Sequence, residues 1–226
     1  MQAQIEIKPR WERRKDARPQ ELLAAALDLF VERGFASTRL EDVAKRAGVS
    51  KGTLYLYFAN KEELFKAVVR ETIVPTLGEA EQNIAAFEGG SAELLRDIIL
   101  AWWNKYGATK LSGISKLMVA ESGNFPELAR FYNAEVIERG NAMIVRILER
   151  GIARGEFRAV DPVILTRVLT APIIMLMMWT HSLVPCKNAV IDPHLYLATF
   201  IELTLRGLRP DGAADTASLQ AAAVAP

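Results

Sequence analysis

Residues 38–64, which read TRLEDVAKRAGVSKGTLYLYFANKEEL from Thr38 to Leu64, decide the fold of this chain. The stretch holds three helix-start signals in close succession. Thr38-Arg-Leu-Glu41 has the form of a capping box, in which the Thr38 hydroxyl accepts from the N–H of Glu41 and the Glu41 carboxylate reaches back. A short helix to about Ala47 is expected, then a turn at Gly48, where positive φ carries little cost. Ser50 is a good N-cap for a helix through about Phe58. Asn60-Lys-Glu-Glu63 opens another, with an amide cap and two acids at the positive end of the helix dipole. Two short helices joined by Ala47-Gly48-Val49-Ser50 form a candidate helix-turn-helix.

Spacing assigns its faces. Leu54 and Phe58 lie four apart and share a side, which with Val43, Ala44, Ala47 and Val49 is expected to pack on the preceding helix. At 100° per residue the side opposite Leu54 carries Gly52 and Leu56, flanked by Thr53 and Tyr55, with Lys51 at the helix start. A glycine there lets the helix come close to a groove floor, Leu56 suits a thymine methyl, and Lys51 suits guanine O6/N7. Thr38, Ser50, Thr53, Tyr55 and Lys61 are candidate phosphate contacts beside three helix N-termini. The alternative is that the hydroxyls only cap helices and the tyrosines pack at a boundary.

Charge supports a polyanion at this end. Residues 1–61 hold 12 Lys/Arg against 8 Asp/Glu, while the remainder holds 16 against 19, so a basic N-terminal part precedes an acidic body. With 226 residues, half of them hydrophobic, the chain can bury a substantial core. Its single cysteine, Cys186, supports neither an internal disulfide nor a Cys-based zinc site. The mixed charges of the first fifteen residues argue against a secretory signal, so a cytoplasmic protein is expected.

Outside the quoted stretch the periodic segments read as helices, and no alternating strand pattern stands out. Residues 1–18 form a basic arm that either adds DNA contacts or is a solvated tail. Helix one is expected from Pro19 to Arg33, closed by Gly34. Ser91 is expected to cap a further helix, and others are expected around Leu111 to Glu121, from Pro126 to Arg154, from Pro162 to His181 and from Pro193 to Arg206. The division is then 1–18 arm, 19–64 helix-turn-helix, 65–209 second domain and 210–226 disordered tail. Val168 to Cys186 is an uncharged run of 19 residues, near the roughly 20 that span a bilayer. Pro172, Thr180, His181, Ser182 and Pro185 interrupt it, so a helix buried in a core or a dimer interface is expected instead. Ile173, Ile174, Leu176, Met177, Leu197, Phe200, Ile201 and Leu205 are the expected members of an intersubunit four-helix bundle.

The ordered elements Ala47-Gly-Val-Ser50, Gly52-Thr-Leu-Tyr55, Tyr57-Phe58 and Lys61-Glu-Glu-Leu64 closely resemble the DNA-binding signature of the TetR family of repressors. Phe125-Pro-Glu-Leu-Ala-Arg-Phe-Tyr132 and Gly151-Ile-Ala-Arg-Gly-Glu-Phe157 look like its AcrR-like branch. The resemblance implies an all-α homodimer of about nine helices per subunit: an N-terminal three-helix helix-turn-helix domain and a C-terminal helical domain for ligand binding and dimerisation. Carried onto matching positions, it places Lys51, Gly52, Thr53, Tyr55, Tyr57 and Lys61 at DNA. It also implies an effector pocket, for which Trp102, Trp103, Tyr106, Met118, Met178 and His181 are candidates, since aromatic and Met side chains make an adaptable apolar wall. Each of these is alternatively an ordinary core residue. The expected function is a ligand-responsive repressor released from a palindromic operator by a small lipophilic or aromatic molecule. A transcription activator or architectural DNA binder of the same fold is the alternative. No cofactor, metal or membrane partner is expected. With two histidines and no H-E-x-x-H, G-x-S-x-G or phosphate-cradling loop, the chain offers no catalytic constellation.

Overall fold

A computed structural model describes residues 10–183 and 191–210, with side chains from residue 19 onward except at Leu183. The expectations for the tail beyond Pro210 and for the arm side chains lie outside these. Every element among the described residues is helical: α1 (Arg10–Ser37), α2 (Leu40–Arg46), α3 (Lys51–Tyr57), α4 (Lys61–Thr72), α5 (Val74–Ala86), α6 (Ser91–Trp102), α7 (Gly113–Glu121), α8 (Pro126–Tyr132), α9 (Glu138–Ala153), α10 (Pro162–Met178) and α11 (Pro193–Gly207). Only Ile73 separates α4 from α5, and a π-helical turn (Asn133–Ile137) joins α8 to α9, so with each pair counted once the described residues hold nine helices. Two more π-helical turns, Trp103–Gly107 and Trp179–Leu183, extend α6 and α10.

α1 begins at Arg10, ahead of the expected start at Pro19. Residues 10–18 are rich in strong helix formers, and a proline removes one backbone bond without forbidding the turns before it. The break at Gly34 falls where the sequence places it, with φ 83°. A further single turn, residues 35–37, follows that break. Ser91 is the first residue of α6 rather than its cap; the Glu156 carboxylate accepts from its N–H at 2.5 Å.

Contacts divide the chain into two compact units that cut across the sequence order. The first takes the residues up to Leu77 together with Ala108–Ile137. Phe30, Phe35 and Phe65 form its aromatic centre, with ring centroids 5.5–5.7 Å apart. Each buried Phe contributes about 1.5–3 kcal/mol by leaving water. α7 lies on α1 so closely that a Cβ on Gly113 would fall 2.6 Å from Cγ1 of Val31.

The second unit takes Gly78–Gly107 and the residues from Glu138 onward. Within it α6 packs on α9, α9 on α10, α10 on α11 and α11 on α6, a closed ring of four helices. Arg139 binds Glu81 through two nitrogens at 2.8 and 3.0 Å, fixing α9 to α5. The Phe157 ring lies against Gly151, where a Cβ would come within 2.1 Å of it.

α10 and α11 correct part of the dimer expectation. Ile173, Leu176, Met177, Leu197 and Ile201 are buried within the subunit itself, and Phe200 and Leu205 are half-buried. A helix apolar on every side gives no phase from which to read its inward face. The apolar side chains left exposed are Val163, Ile164, Val168, Ile174 and Met175 on α10, and Leu195 and Leu203 on α11.

Candidate nucleic-acid interface

α2, α3 and the turn between them take the geometry expected of a helix-turn-helix. Gly48 has φ 67°, its N–H donates to Lys45 O at 3.2 Å, and Val49 N–H donates to Ala44 O at 3.0 Å. Ser50 caps α3: its Oγ accepts from Thr53 N–H at 3.1 Å and lies 2.9 Å from the Thr53 hydroxyl. Asn60 caps α4 by accepting from Glu63 N–H at 2.8 Å. Ion pairs Arg33–Asp42 at 3.2 Å and Arg46–Glu32 at 2.6 Å hold α2 against α1.

The two sides of α3 separate as the spacing predicts. Leu54 is fully buried with Val43 and Ala44. On the other side Tyr55 is 44% exposed, Leu56 84% and Tyr57 37%, three large side chains on a helix of seven residues. Lys51 and Gly52 are also exposed. Nothing inside the protein requires the glycine, because a Cβ there would meet only Ser50 Oγ at 3.8 Å.

Lys51 is held by a neighbour. Its ammonium is 2.5 Å from Glu41 Oε1 on α2 and 5.8 Å from the Tyr55 ring centroid. The Glu41 hydrogen bond raises the Lys51 pKa, and the same bond lowers that of Glu41. Lys51 is therefore fully charged at neutral pH.

Two expected phosphate contacts are corrected. Thr38 is buried, and its hydroxyl donates to Gly34 O at 2.7 Å and Leu29 O at 3.2 Å rather than capping Glu41. The break in α1 leaves carbonyls in need of a donor, while Lys51 draws the Glu41 carboxylate away. α2 begins after Arg39 with no side-chain cap. Lys61 also turns inward. Its Nζ donates to Phe35 O at 2.7 Å and Ala36 O at 3.1 Å, and lies 4.5 Å from the Phe35 ring centroid. Desolvation lowers its pKa, against the opposing attraction of Glu121 and Glu62.

Two cations went unnoticed in the sequence. Arg39, at the N-cap of α2, and Lys45, in its last turn, are exposed and form no ion pair or side-chain hydrogen bond among the described residues. The available signal was their place at the two ends of α2, the first helix of the helix-turn-helix.

The effector candidates are distributed between the units. Trp102 and Tyr106 stack with centroids 4.5 Å apart, and Trp103 lies against Gly107, all in the second unit. Met178 and His181 are half-buried in the same unit, whereas Met118 is buried in the first. A groove of about 590 Å³ between α10 and α11, lined by Pro172, Trp179, Tyr196 and Phe200 among others, contains none of the six.

Comparison with known proteins gives two family models. Residues 22–68 match "Bacterial regulatory proteins, tetR family", and residues 89–192 match "Tetracyclin repressor-like, C-terminal domain". An uncharacterized HTH-type transcriptional regulator of Bacillus subtilis, YfiR, is 28% identical over 66% of this chain and 72% of its own. The fatty acid metabolism regulator protein of the same organism is 27% identical over 64% of this chain and 74% of its own. The solved structure of the transcriptional regulator FadR from Bacillus subtilis, in complex with stearoyl-CoA, superposes with a TM-score of 0.71 at 23% identity, covering 84% of this chain and 99% of that one.

Proposed function

The chain belongs to the TetR family of transcription regulators, and from that premise we propose that it is a homodimeric, effector-released repressor that works in the cytoplasm. The observation that carries the DNA-reading part is the outward side of α3. Tyr55, Leu56 and Tyr57 stand in solvent beside Lys51 and an uncrowded Gly52. Solvent-exposed aromatic and aliphatic groups on a capped helix have no internal purpose and suit base edges and phosphates in a major groove. Ser50, Thr53, Arg39 and Lys45 supply further donors around that face, while Thr38 and Lys61 act inside the protein. In the wild type Lys51 exchanges Glu41 for guanine.

Lys51→Ala is expected to weaken binding to the operator roughly ten- to a hundredfold while changing binding to random DNA far less. Fluorescence anisotropy on both duplexes reads the difference, and an equal loss on the two would make Lys51 a phosphate contact.

Dimerisation is assigned to the exposed apolar side of α10 and α11. Pro162–Ser182 is long and apolar enough to cross a membrane. Its buried Ile173, Leu176 and Met177 and its place in a four-helix ring favour a second copy as the partner for the remaining surface. Combining Val168→Lys with Leu203→Lys is expected to give a folded monomer by sedimentation. Both positions are more than half exposed, so stability should shift by about 0.5 kcal/mol or less per site. Operator affinity should collapse in parallel, because two recognition helices about 34 Å apart are needed for two half-sites.

The effector is assigned to a small lipophilic molecule, with Trp102, Trp103, Tyr106, Met118, Met178 and His181 as candidate contacts. Support comes from the aromatic and Met side chains present and from the stearoyl-CoA bound to the relative FadR. Effector binding shifts the population toward dimers whose recognition helices no longer match the operator. Footprinting on the DNA flanking its own gene, with and without stearoyl-CoA and a panel of lipophilic compounds, tests the whole reading. A palindromic footprint lost on ligand addition supports it; absence of any footprint refutes it. Reporter expression in a deletion strain separates repressor from activator.

A further inference from the structure

Residues 110–125 run along α1 as a strap. Lys110 Nζ pairs with Asp28 Oδ1 at 2.6 Å, Gly113 abuts Val31, and the Phe125 ring meets the edge of Phe35 at 4.7 Å. At its far end Glu121 Oε1 accepts from Ala36 N–H at 3.1 Å. The same oxygen lies 3.0 Å from where a Cβ on Gly34 would stand. Lys61 meets this broken turn of α1 too, through the carbonyls of Phe35 and Ala36. One turn is therefore terminated at its N–H by an anion from α7 and at its carbonyls by a cation from α4. The charge of Glu121 also acts on Lys61, opposing the desolvation of its ammonium.

We propose that Glu121 is a positioning residue that keeps Lys61 on the α1 turn and so withholds its charge from DNA. While the strap is seated, the Lys61 ammonium satisfies two carbonyls and lies on the Phe35 ring. When residues 108–137 shift along α1, the carboxylate leaves, the turn loosens, and Lys61 swings out to a phosphate at the start of α4. Strap movement is thereby converted into a change in DNA affinity at the start of α4, outside the reading side of α3. The inference rests on the DNA-binding reading given above.

Glu121→Gln removes the charge and keeps an oxygen that can accept from Ala36 N–H. Anisotropy on a random-sequence duplex, across a KCl series, compares wild type, Glu121→Gln, Lys61→Met and the double variant. Glu121→Gln is expected to bind about three- to tenfold tighter at low salt, with the slope of log K against log[KCl] steeper by about one. In the Lys61→Met background the Glu121 substitution should change nothing. If Glu121→Gln fails to fold, Glu121→Asp, which draws the carboxylate back by one methylene, should show a smaller gain of the same kind. Wild type that binds while Glu121→Gln changes affinity less than twofold overturns the proposal alone. So does a gain that persists without Lys61, which would be plain repulsion between Glu121 and DNA. A wild type that binds no duplex at low salt overturns the DNA-binding reading and this proposal with it.

Discussion

Gly52→Gln is expected to abolish sequence-specific DNA binding while leaving the protein at least as stable as wild type. Glycine in a helix interior costs about 0.5–1 kcal/mol relative to alanine, because its unfolded backbone has more freedom to lose. α3 carries this glycine as the second of its seven residues although nothing inside the protein demands it, the nearest atom to a new Cβ being Ser50 Oγ at 3.8 Å. The need lies outside the protein, where a side chain would hold the helix off the groove floor and displace Lys51 and Leu56 from the bases. Gly52→Ala should raise the melting temperature by about 2 °C or less and weaken the operator complex moderately. Gly52→Gln should leave only weak, salt-dominated binding, a loss of about a thousandfold or more on the operator. Thermal denaturation and anisotropy on the same samples test the pair. Operator binding by Gly52→Gln at wild-type strength would mean that α3 does not enter a groove.

The second large effect is on stability. Phe35 is 1% exposed and touches the rings of Phe30, Phe65 and Phe125, with the Lys61 ammonium over its own ring. Phe35→Ala is expected to cost about 3–5 kcal/mol, a large part of the roughly 5–15 kcal/mol that holds a domain folded. Hydrogen exchange should reveal where the loss falls. Protection should drop together across α1–α4 and across residues 108–137, since these form one compact unit, and far less across α9–α11. Phe35→Leu, which refills most of the space, should recover the greater part. A loss confined to α1–α4 would show that the strap contributes nothing to that unit.

The helix-turn-helix was legible because its signals are local. Ser50 and Asn60 cap as their types predict, Gly34 and Gly48 take positive φ, and Leu54 and Leu56 fall on opposite sides of α3. What escaped the sequence depends on partners far along the chain. Gly113 meets Val31 across 82 positions, and Glu121 reaches Ala36 across 85, so periodicity within one helix is silent about both. The Thr38 expectation fails because a hydroxyl can donate as well as accept, and here the carbonyls of Leu29 and Gly34 take its hydrogen bond. Lys61 was misread because a lysine near a helix start looks solvent-bound until the carbonyls of another helix end arrive beside it. On α10, neighbours such as Ile173 and Ile174 differ in burial though not in character.

The chain passes from one compact unit to the other at three points, and two of them coincide with the ends of π-helical turns, at Gly107 and at Ile137. A π turn carries one residue more than the helix on either side, so everything after it is rotated by about 100° about the same axis. The rod formed by α8 and α9 can thus bury Leu128 and Tyr132 in one body and Met143 and Ile147 in another without a loop. The inserted residue thus sets which side chains of α9 face the core of their own unit, independently of the phase of α8.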